Sequence, residues 1–314
     1  MAEGSRPAPA GAGPVGVLVM AYGTPASPDD VEAYYTHIRR GRPPTPELLA
    51  DLRRRYDAIG GISPLAARTR AQADGIAAAL GEGYVVALGQ KHAAPFVQDG
   101  IAELVAAGVT RVIGLVLAPH FSAMSVGQYH EQASTAADGH ALPYVGIGSW
   151  HIHPLLVDLL AERVAAARDR LPVPAGAVVE TLFTAHSLPA RALTLDVPSY
   201  PDQLRETAEA VAAVARIDRW RTAWQSAGRT AAVWIGPDIL DVVRSLPGEG
   251  VDGVIVCPAG FVSDHLEVLF DIDIEARGVA EAAGLALERT ASFNDDPRFV
   301  AILATIVSDA AGAG

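Results

Sequence analysis

The sequence predicts an α/β fold built from doubly wound parallel sheets. Short continuous apolar runs alternate with Ala-rich stretches of helical periodicity, and strands covered on both faces read as uninterrupted apolar runs. A weak internal echo divides the chain into two related halves. Half of the 314 residues are hydrophobic and 19% are charged, enough apolar material for two domains of ordinary size.

Val15–Met20, Tyr84–Leu88, Arg111–Ala118 and Pro143–Ile147 read as a first set of strands. Val178–Thr184, Thr222–Trp224, Val251–Val256 and Leu285–Arg289 read as a second. The helical stretches between them include Thr45–Tyr56, Ala66–Leu80, Val97–Ala107, Pro154–Arg170, Pro201–Val214 and Pro237–Ser245. The implied organisation is a disordered Pro/Ala/Gly tail at 1–14 and a Rossmann-like domain at 15–150. A second Rossmann-like domain follows at 151–290, then a C-terminal helix at 291–314 that packs back on the first.

The echo aligns Ala21-Tyr22-Gly23-Thr24-Pro25, after one apolar strand, with Ala185-His186-Ser187-Leu188-Pro189, after another. LVLAPHFS, with Pro119, pairs likewise with VIVCPAGF, with Pro258. Tyr22 and His186 thus stand at equivalent strand ends, where ligands sit in open α/β sheets. A cleft between the halves would turn the two residues toward each other.

The net charge of −12 argues against general binding to nucleic acid or anionic membranes. The single cysteine, Cys257, excludes intramolecular disulfides and Cys₄ zinc or iron–sulfur sites, and reads as a buried small hydrophobe. The N-terminal residues lack the apolar core of a signal peptide, and the longest apolar stretches, Val15–Ala21 and Phe299–Val307, fall short of a membrane span. The composition reads as that of a cytoplasmic protein.

The strongest chemical cluster is VCPAGFVSDHLEVLFDIDIEA, at 256–276. A helix starting near Ser263 would place Glu267, Asp271 and Glu275 on one face at i, i+4 and i+8. Such a stripe is either a solvated acidic face or a track of oxygens for a divalent metal and for protons. Asp264-His265, one turn before Glu267, reads either as helix capping by Asp264 or as part of the chemistry. His186, at a strand end, is either structural or a ferrous ligand and proton acceptor. Tyr22 is either a packing aromatic or an oxygen ligand and stacking face for a flat ligand. HIRRGRPPTPELLADLRRR, at 37–55, carries six arginines and two acids, which form either a solvated basic face or forks for carboxylates. IGGISPLA, with Ser63, offers backbone N–H groups at a helix start. GAGPVG precedes a strand instead of following one, so it is no dinucleotide motif. HIHP, with His151 and His153, could bind metal, but two histidines at i, i+2 flanking a helix start read rather as surface.

Together LVMAYGTP, EAYYTHIRRGRPPTPELLADLRRRYDAIGGISPLA, KHAAPFV, LAPHFSAMSVGQYH, TAHSLP, SYPDQLRETA, WQSAGRT, WIGPD and GFVSDHLEVLFDID resemble the ferrochelatases. The likeness is greatest to the bacterial branch acting on coproporphyrin III, and it spans nearly the whole chain. The resemblance implies an enzyme, a metal–porphyrin lyase, with a porphyrin cleft between two Rossmann-like halves of the chelatase type. It implies Fe²⁺ insertion into coproporphyrin III in haem biosynthesis. The alternatives are protoporphyrin IX as substrate, or a haem carrier on the same fold. His186 and Glu267 match the pair that binds iron and handles the pyrrole protons. Tyr22 matches the axial ligand on the opposite face of the ring. Arg39, Arg55, Tyr56, Ser63 and Tyr129 match contacts to the macrocycle or its carboxylates, and Trp234 matches a tryptophan near the cleft. Asp271 and Glu275 match an acidic track to the metal. Fe²⁺ is then substrate, with no prosthetic group and no iron–sulfur cluster. The expected partners are porphyrin, Fe²⁺ and the next haem-pathway enzyme, the expected state a monomer without stable membrane association.

Overall fold

The computed structural model describes residues 13–194, 196–228 and 230–313. The tail read at 1–14 lies outside them as far as residue 12. Among the described residues the chain forms two compact units, each with its own four-stranded parallel sheet. The first unit takes 13–118, 125–149 and 293–313, and the second takes 119–124 and the described residues from 150 to 292.

In the first unit β1 (Val15–Ala21) is followed by α1 (Val31–Ile38), α2 (Pro46–Ala58), α3 (Leu65–Leu80) and β2 (Tyr84–Gln90). Then come α4 (Val97–Ala106), β3 (Arg111–Val116), α5 (Val126–Asp138) and β4 (Tyr144–Ile147). The sheet order is β2-β1-β3-β4. β1 is central and buried along its whole length, with Val17 in register with Val86 on one side and Ile113 on the other. That is why VGVLVMA carries no polar residue: both of its faces are covered.

The second unit contains α6 (Pro154–Arg170), β5 (Val179–His186), α7 (Tyr200–Ala215), β6 (Trp220–Gln225), α8 (Ile239–Ser245) and β7 (Gly253–Cys257). It ends with α9 (Leu266–Phe270), a π-helical turn at Asp271–Ala276, α10 (Arg277–Ala282) and β8 (Ala286–Arg289). Its sheet order, β6-β5-β7-β8, repeats that of the first unit strand for strand. The echo in sequence therefore corresponds to one winding used twice, with β1 equivalent to β5 and β3 to β7.

The last helix, α11 (Pro297–Gly312), belongs to the first unit. It buries Phe299, Leu303 and Val307, and Val300 presses on Gly75 of α3. Arg111 of β3 donates to the Ala311 carbonyl near its end. Residues 119–124 join the second unit because Gln203 bonds both the N–H and the C=O of Phe121, at 2.7 and 2.9 Å, and Asp196 accepts the Ala123 N–H at 2.9 Å.

Proline sets several helix starts. Thr45, Ser199 and Asp296 cap α2, α7 and α11 by accepting a backbone N–H, each with a proline in the first turn. No described helix is long and apolar enough to cross a membrane.

Gly260 shows how tightly the loop after β7 is seated. A Cβ there would stand 2.5 Å from Ala185 Cβ and 2.8 Å from Ala185 Cα, and the Gly260 N–H donates to the Thr184 carbonyl at 3.0 Å. Ala185 precedes His186 in β5. Gly260→Ala is expected to cost about 1–3 kcal/mol through overpacking, read as a lowered midpoint in thermal melts. An unchanged midpoint would show that the loop yields freely.

Candidate functional site

In each unit the chain leaves the first and third strands in opposite directions, which opens a crevice at their carboxyl ends. In the second unit these strands are β5 and β7. His186 is the last residue of β5, and Glu267 lies in the first turn of α9, beyond the loop that follows β7. The topology brings them together: His186 Nε2 lies 3.5 Å from Glu267 Oε1. The other carboxylate oxygen, Oε2, lies 3.6 Å from His265 Nε2. One carboxylate thus faces two imidazoles.

The surroundings fix both groups. His186 Nδ1 donates to the Ser187 carbonyl, so a neutral ring presents the Nε2 lone pair. The Tyr200 hydroxyl donates to the His186 carbonyl at 3.2 Å. Gln225 donates to the Glu267 carbonyl at 3.1 Å and accepts from Thr184 at 2.8 Å. His265 Nδ1 is held by the Ser263 carbonyl at 2.9 Å. Burial alone would lower the His186 pKa. The Glu267 carboxylate outweighs it and lifts the imidazole to about 9, with the Ser187 carbonyl and Asp271 acting in the same direction. Burial alone would raise the Glu267 carboxyl. His186 first, then His265, hold it well below the usual carboxylate range. At neutral pH the pair is imidazolium and carboxylate, and its proton can leave when a cation arrives.

The acidic stripe differs from the regular helix read in the sequence. The helix begins at Leu266, not near Ser263, and runs as α-helix only to Phe270 before the π turn. The π turn changes the pitch after Phe270, so the stripe does not continue at α-helical spacing. Asp271 is buried and accepts from Ser226, while Glu275 is partly exposed. Asp264 does not cap the helix. It accepts from Ser292 at 2.7 Å and lies 3.3 Å from Arg289, leaving His265 at the cap position with no side-chain bond to the helix. Arg289 also grips Asp273 with two bonds, at 2.7 and 2.8 Å, tying the π turn to the end of β8. Trp234 donates to Thr230 at 3.2 Å, and its backbone bridges to Pro189, just past His186.

In the first unit Tyr22 follows β1 and is 44% exposed. Its ring centroid lies 4.6 Å from that of His92. Gly23, at φ +88°, turns the chain where a Cβ would lie 2.9 Å from Ala93 Cβ. Tyr56 is buried with its hydroxyl 3.4 Å from Thr24 Oγ1, in the same loop. Tyr129 is buried too, and burial, with Tyr22 nearby, raises its phenol well above the ordinary value. Ser63 accepts the N–H of Leu65, the first residue of α3, at 3.2 Å.

The six arginines do not form one fork. Arg54 and Arg55 both pair with Asp51, at 2.9 and 3.2 Å, and Arg53 lies 3.7 Å from Glu32. Arg39 bonds the Arg42 carbonyl at 3.2 Å and lies 5.7 Å over the Tyr35 ring. The helical register of α2 points Arg53, Arg54 and Arg55 in different directions.

Sequence reasoning missed Tyr200 and Gln225, whose roles rest on contacts across the fold. It also misplaced His151, which is buried instead of lying at the surface. His151 Nε2 meets Glu206 at 2.9 Å and its ring lies 5.3 Å from that of His120. Cys257 is buried, and burial pushes its thiol up to about 12. Among the described residues no three His, Cys, Asp or Glu side chains are grouped to hold a metal ion. His186 and Glu267 offer one nitrogen and one oxygen donor.

Comparison with known proteins gives a consistent picture. A family model described as Ferrochelatase matches residues 14–311. The chain is 43% identical over 300 residues to a coproporphyrin III ferrochelatase of Anoxybacillus flavithermus, covering 93% of this chain and 95% of that one. It is 41% identical over 300 residues to the coproporphyrin III ferrochelatase of Bacillus subtilis, covering 93% and 96%. A Herpetosiphon aurantiacus protein named ferrochelatase is 42% identical over 298 residues, covering 93% and 97%. Among solved structures, SirB from Bacillus subtilis shares the fold with a TM-score of 0.61 at 12% identity, over 95% of this chain and 96% of that one.

The pairing makes the His186 titration depend on Glu267. In metal-free, porphyrin-free protein, Glu267→Gln is expected to bring the His186 pKa from about 9 to the ordinary 6.5 or below, since burial persists, as read by NMR of the imidazole. His186 is raised on folding, so its share of stability is present below 6.5 and lost as pH rises through about 9. Glu267 is depressed, so its share is present above 4.5 and lost only in strong acid. The stability gap between wild type and variant is therefore expected to be widest near pH 5–6.5 and to close above about 9. An unchanged His186 titration would contradict the pairing.

Proposed function

The chain belongs to the ferrochelatase family and is a ferrochelatase, and from that premise we propose that it inserts Fe²⁺ into coproporphyrin III. Fe²⁺ and a porphyrin are its substrates, and its place is in haem biosynthesis. The observation that carries the reading is the His186–Glu267 pair: a nitrogen and a carboxylate 3.5 Å apart at the carboxyl end of the second sheet.

Metallation requires that two pyrrole protons leave, that Fe²⁺ shed water, and that the nitrogen lone pairs become accessible. In our reading Fe²⁺ meets the pair first. The cation displaces the His186 Nε2 proton to solvent water, and Nε2 and the carboxylate become transient ligands. As the porphyrin nitrogens take over the iron, His186 and Glu267 become free to accept the pyrrole protons. Fixing Nδ1 on the Ser187 carbonyl keeps Nε2 aimed at this exchange. Asp271 and Glu275 extend the carboxylates along α9 and the π turn and provide a path for protons or metal. Tyr22 serves as an oxygen ligand to the metal. Arg39, Arg55, Tyr56, Ser63, Tyr129 and Trp234 contact the macrocycle or its carboxylates, roles that rest on the family resemblance.

Two features favour coproporphyrin III over protoporphyrin IX. Relatives named for coproporphyrin III include the enzymes of Anoxybacillus flavithermus and Bacillus subtilis. Coproporphyrin has four carboxylates to protoporphyrin's two, and residues 37–55 concentrate six arginines in a chain of net charge −12. We propose further that the enzyme works as a cytoplasmic monomer, without an iron–sulfur cluster and without stable membrane association.

Anaerobic insertion of Fe²⁺ into the two porphyrins, followed by absorbance with detergent matched, tests the reading. A higher kcat/KM is expected for coproporphyrin III, and equal values or the reverse order would move the enzyme to protoporphyrin IX. His186→Ala is expected to abolish insertion while porphyrin still binds. Glu267→Gln is expected to lose about 10²–10⁴-fold in kcat, with Asp271→Asn and Glu275→Gln milder. Near wild-type turnover by His186→Ala would overturn the assignment.

A further inference from the structure

Of the 24 lysine and arginine residues, 23 are arginine and Lys91 is the one lysine. The two cations differ: arginine presents a planar fork of five donors, lysine a compact ammonium with three. A chain that uses arginine at every other cationic position and lysine here marks Lys91 as a place for the smaller group.

Lys91 follows β2 and opens the KHAAPFV stretch. Its backbone N–H donates to the Ala21 carbonyl at the end of β1, at 3.0 Å, and the next residue, His92, packs its ring on Tyr22. The ammonium donates to Gln128 Oε1 at 2.6 Å and stands 5.0 Å over the ring of Tyr129. Both partners are uncharged. Among the described residues no carboxylate pairs with it. Burial first, and then the charge of Arg40, lower its pKa to about 8, with nothing acidic acting against them. A half-buried ammonium with only neutral partners, in a chain of net charge −12, has given up water without gaining a counter-ion.

We propose that Lys91 binds a carboxylate of the porphyrin substrate, and this rests on the coproporphyrin III reading above. Gln128 uses one N–H of the ammonium and the Tyr129 ring takes one side of it, which leaves a direction open for an anionic oxygen. Tyr129 is itself among the residues assigned to the macrocycle, so the ammonium lies beside that surface. The longer, planar guanidinium of arginine would not occupy the same place between Gln128 and Tyr129.

Binding of metal-free coproporphyrin III, measured by fluorescence at equilibrium, tests this with Lys91→Met and Lys91→Arg, each checked for folding by circular dichroism and thermal melt. Lys91→Met is expected to weaken coproporphyrin III by about tenfold, the size of a charge-assisted contact at a partly open site. Lys91→Arg is expected to weaken it by several-fold despite its charge. Wild-type affinity in a folded Lys91→Met would overturn the proposal. Wild-type protein that neither binds nor metallates coproporphyrin III would overturn the substrate reading itself, a distinct failure. A second readout does not depend on the variants. Lysine labelled with ¹³C and ¹⁵N gives one side-chain Cε–Nζ system in this chain. Saturating coproporphyrin III is expected to shift it. An unmoved signal, or an equal shift with inorganic phosphate alone, would overturn the assignment to the substrate.

Discussion

A parallel sheet wound in the order second, first, third, fourth strand sends the chain away from its two central strands in opposite directions. The loops leaving the first and third strands must then share one crevice. In the second unit this geometry alone brings His186, at the end of β5, against Glu267, far along the chain after β7. No local propensity could do so. The first unit obeys the same order and offers Tyr22 at the equivalent end of β1. One winding, used twice, thus supplies two strand ends with different chemistry, basic and acidic groups in one and a phenol in the other.

The electrostatics of the second crevice derive from that meeting. An imidazole at a strand end has an unremarkable pKa until a carboxylate faces it. Here the carboxylate lies between two imidazoles, His186 and His265, and each ring has its other nitrogen committed to a backbone carbonyl. Both rings are therefore held in a fixed orientation. Gln225 and Tyr200 hold the backbone of Glu267 and His186 through buried side chains, so the two groups are fixed from behind as well as opposed to each other. Arg289 does the same for the loop and π turn on either side of Glu267, through Asp264 and Asp273.

Much of this is legible in the amino-acid order, for physical reasons that also mark its limits. Strands such as VGVLVMA and GVIVC declare themselves because burial on both faces leaves no room for polar residues. His186 and Tyr22 are legible because they directly end such runs. The π turn is not legible because it leaves no signature in the spacing of DIDIEA, and spacing alone assumes an α-helix. His151 reads as surface because its partners, Glu206 and His120, are distant in sequence and only the fold brings them near. The arginine cluster divides because residues adjacent in sequence are not adjacent in direction on a helix, which the run of three at 53–55 already implies. Asp51, within the same helix, takes two of them.

The placement of α11 bears on how the chain becomes a protein. The first unit is complete only when residues 297–312 lay Phe299, Leu303 and Val307 against it, and every residue of β5 through β8 is made before them. A ribosome adding residues in order delivers the whole of the second sheet while the apolar surface of the first unit that α11 covers still waits. Self-contained units ordinarily fold in order of synthesis. In this chain the half that begins first must finish last, so the uncovered side of the first unit is exposed to other nascent chains for the time it takes to translate the second.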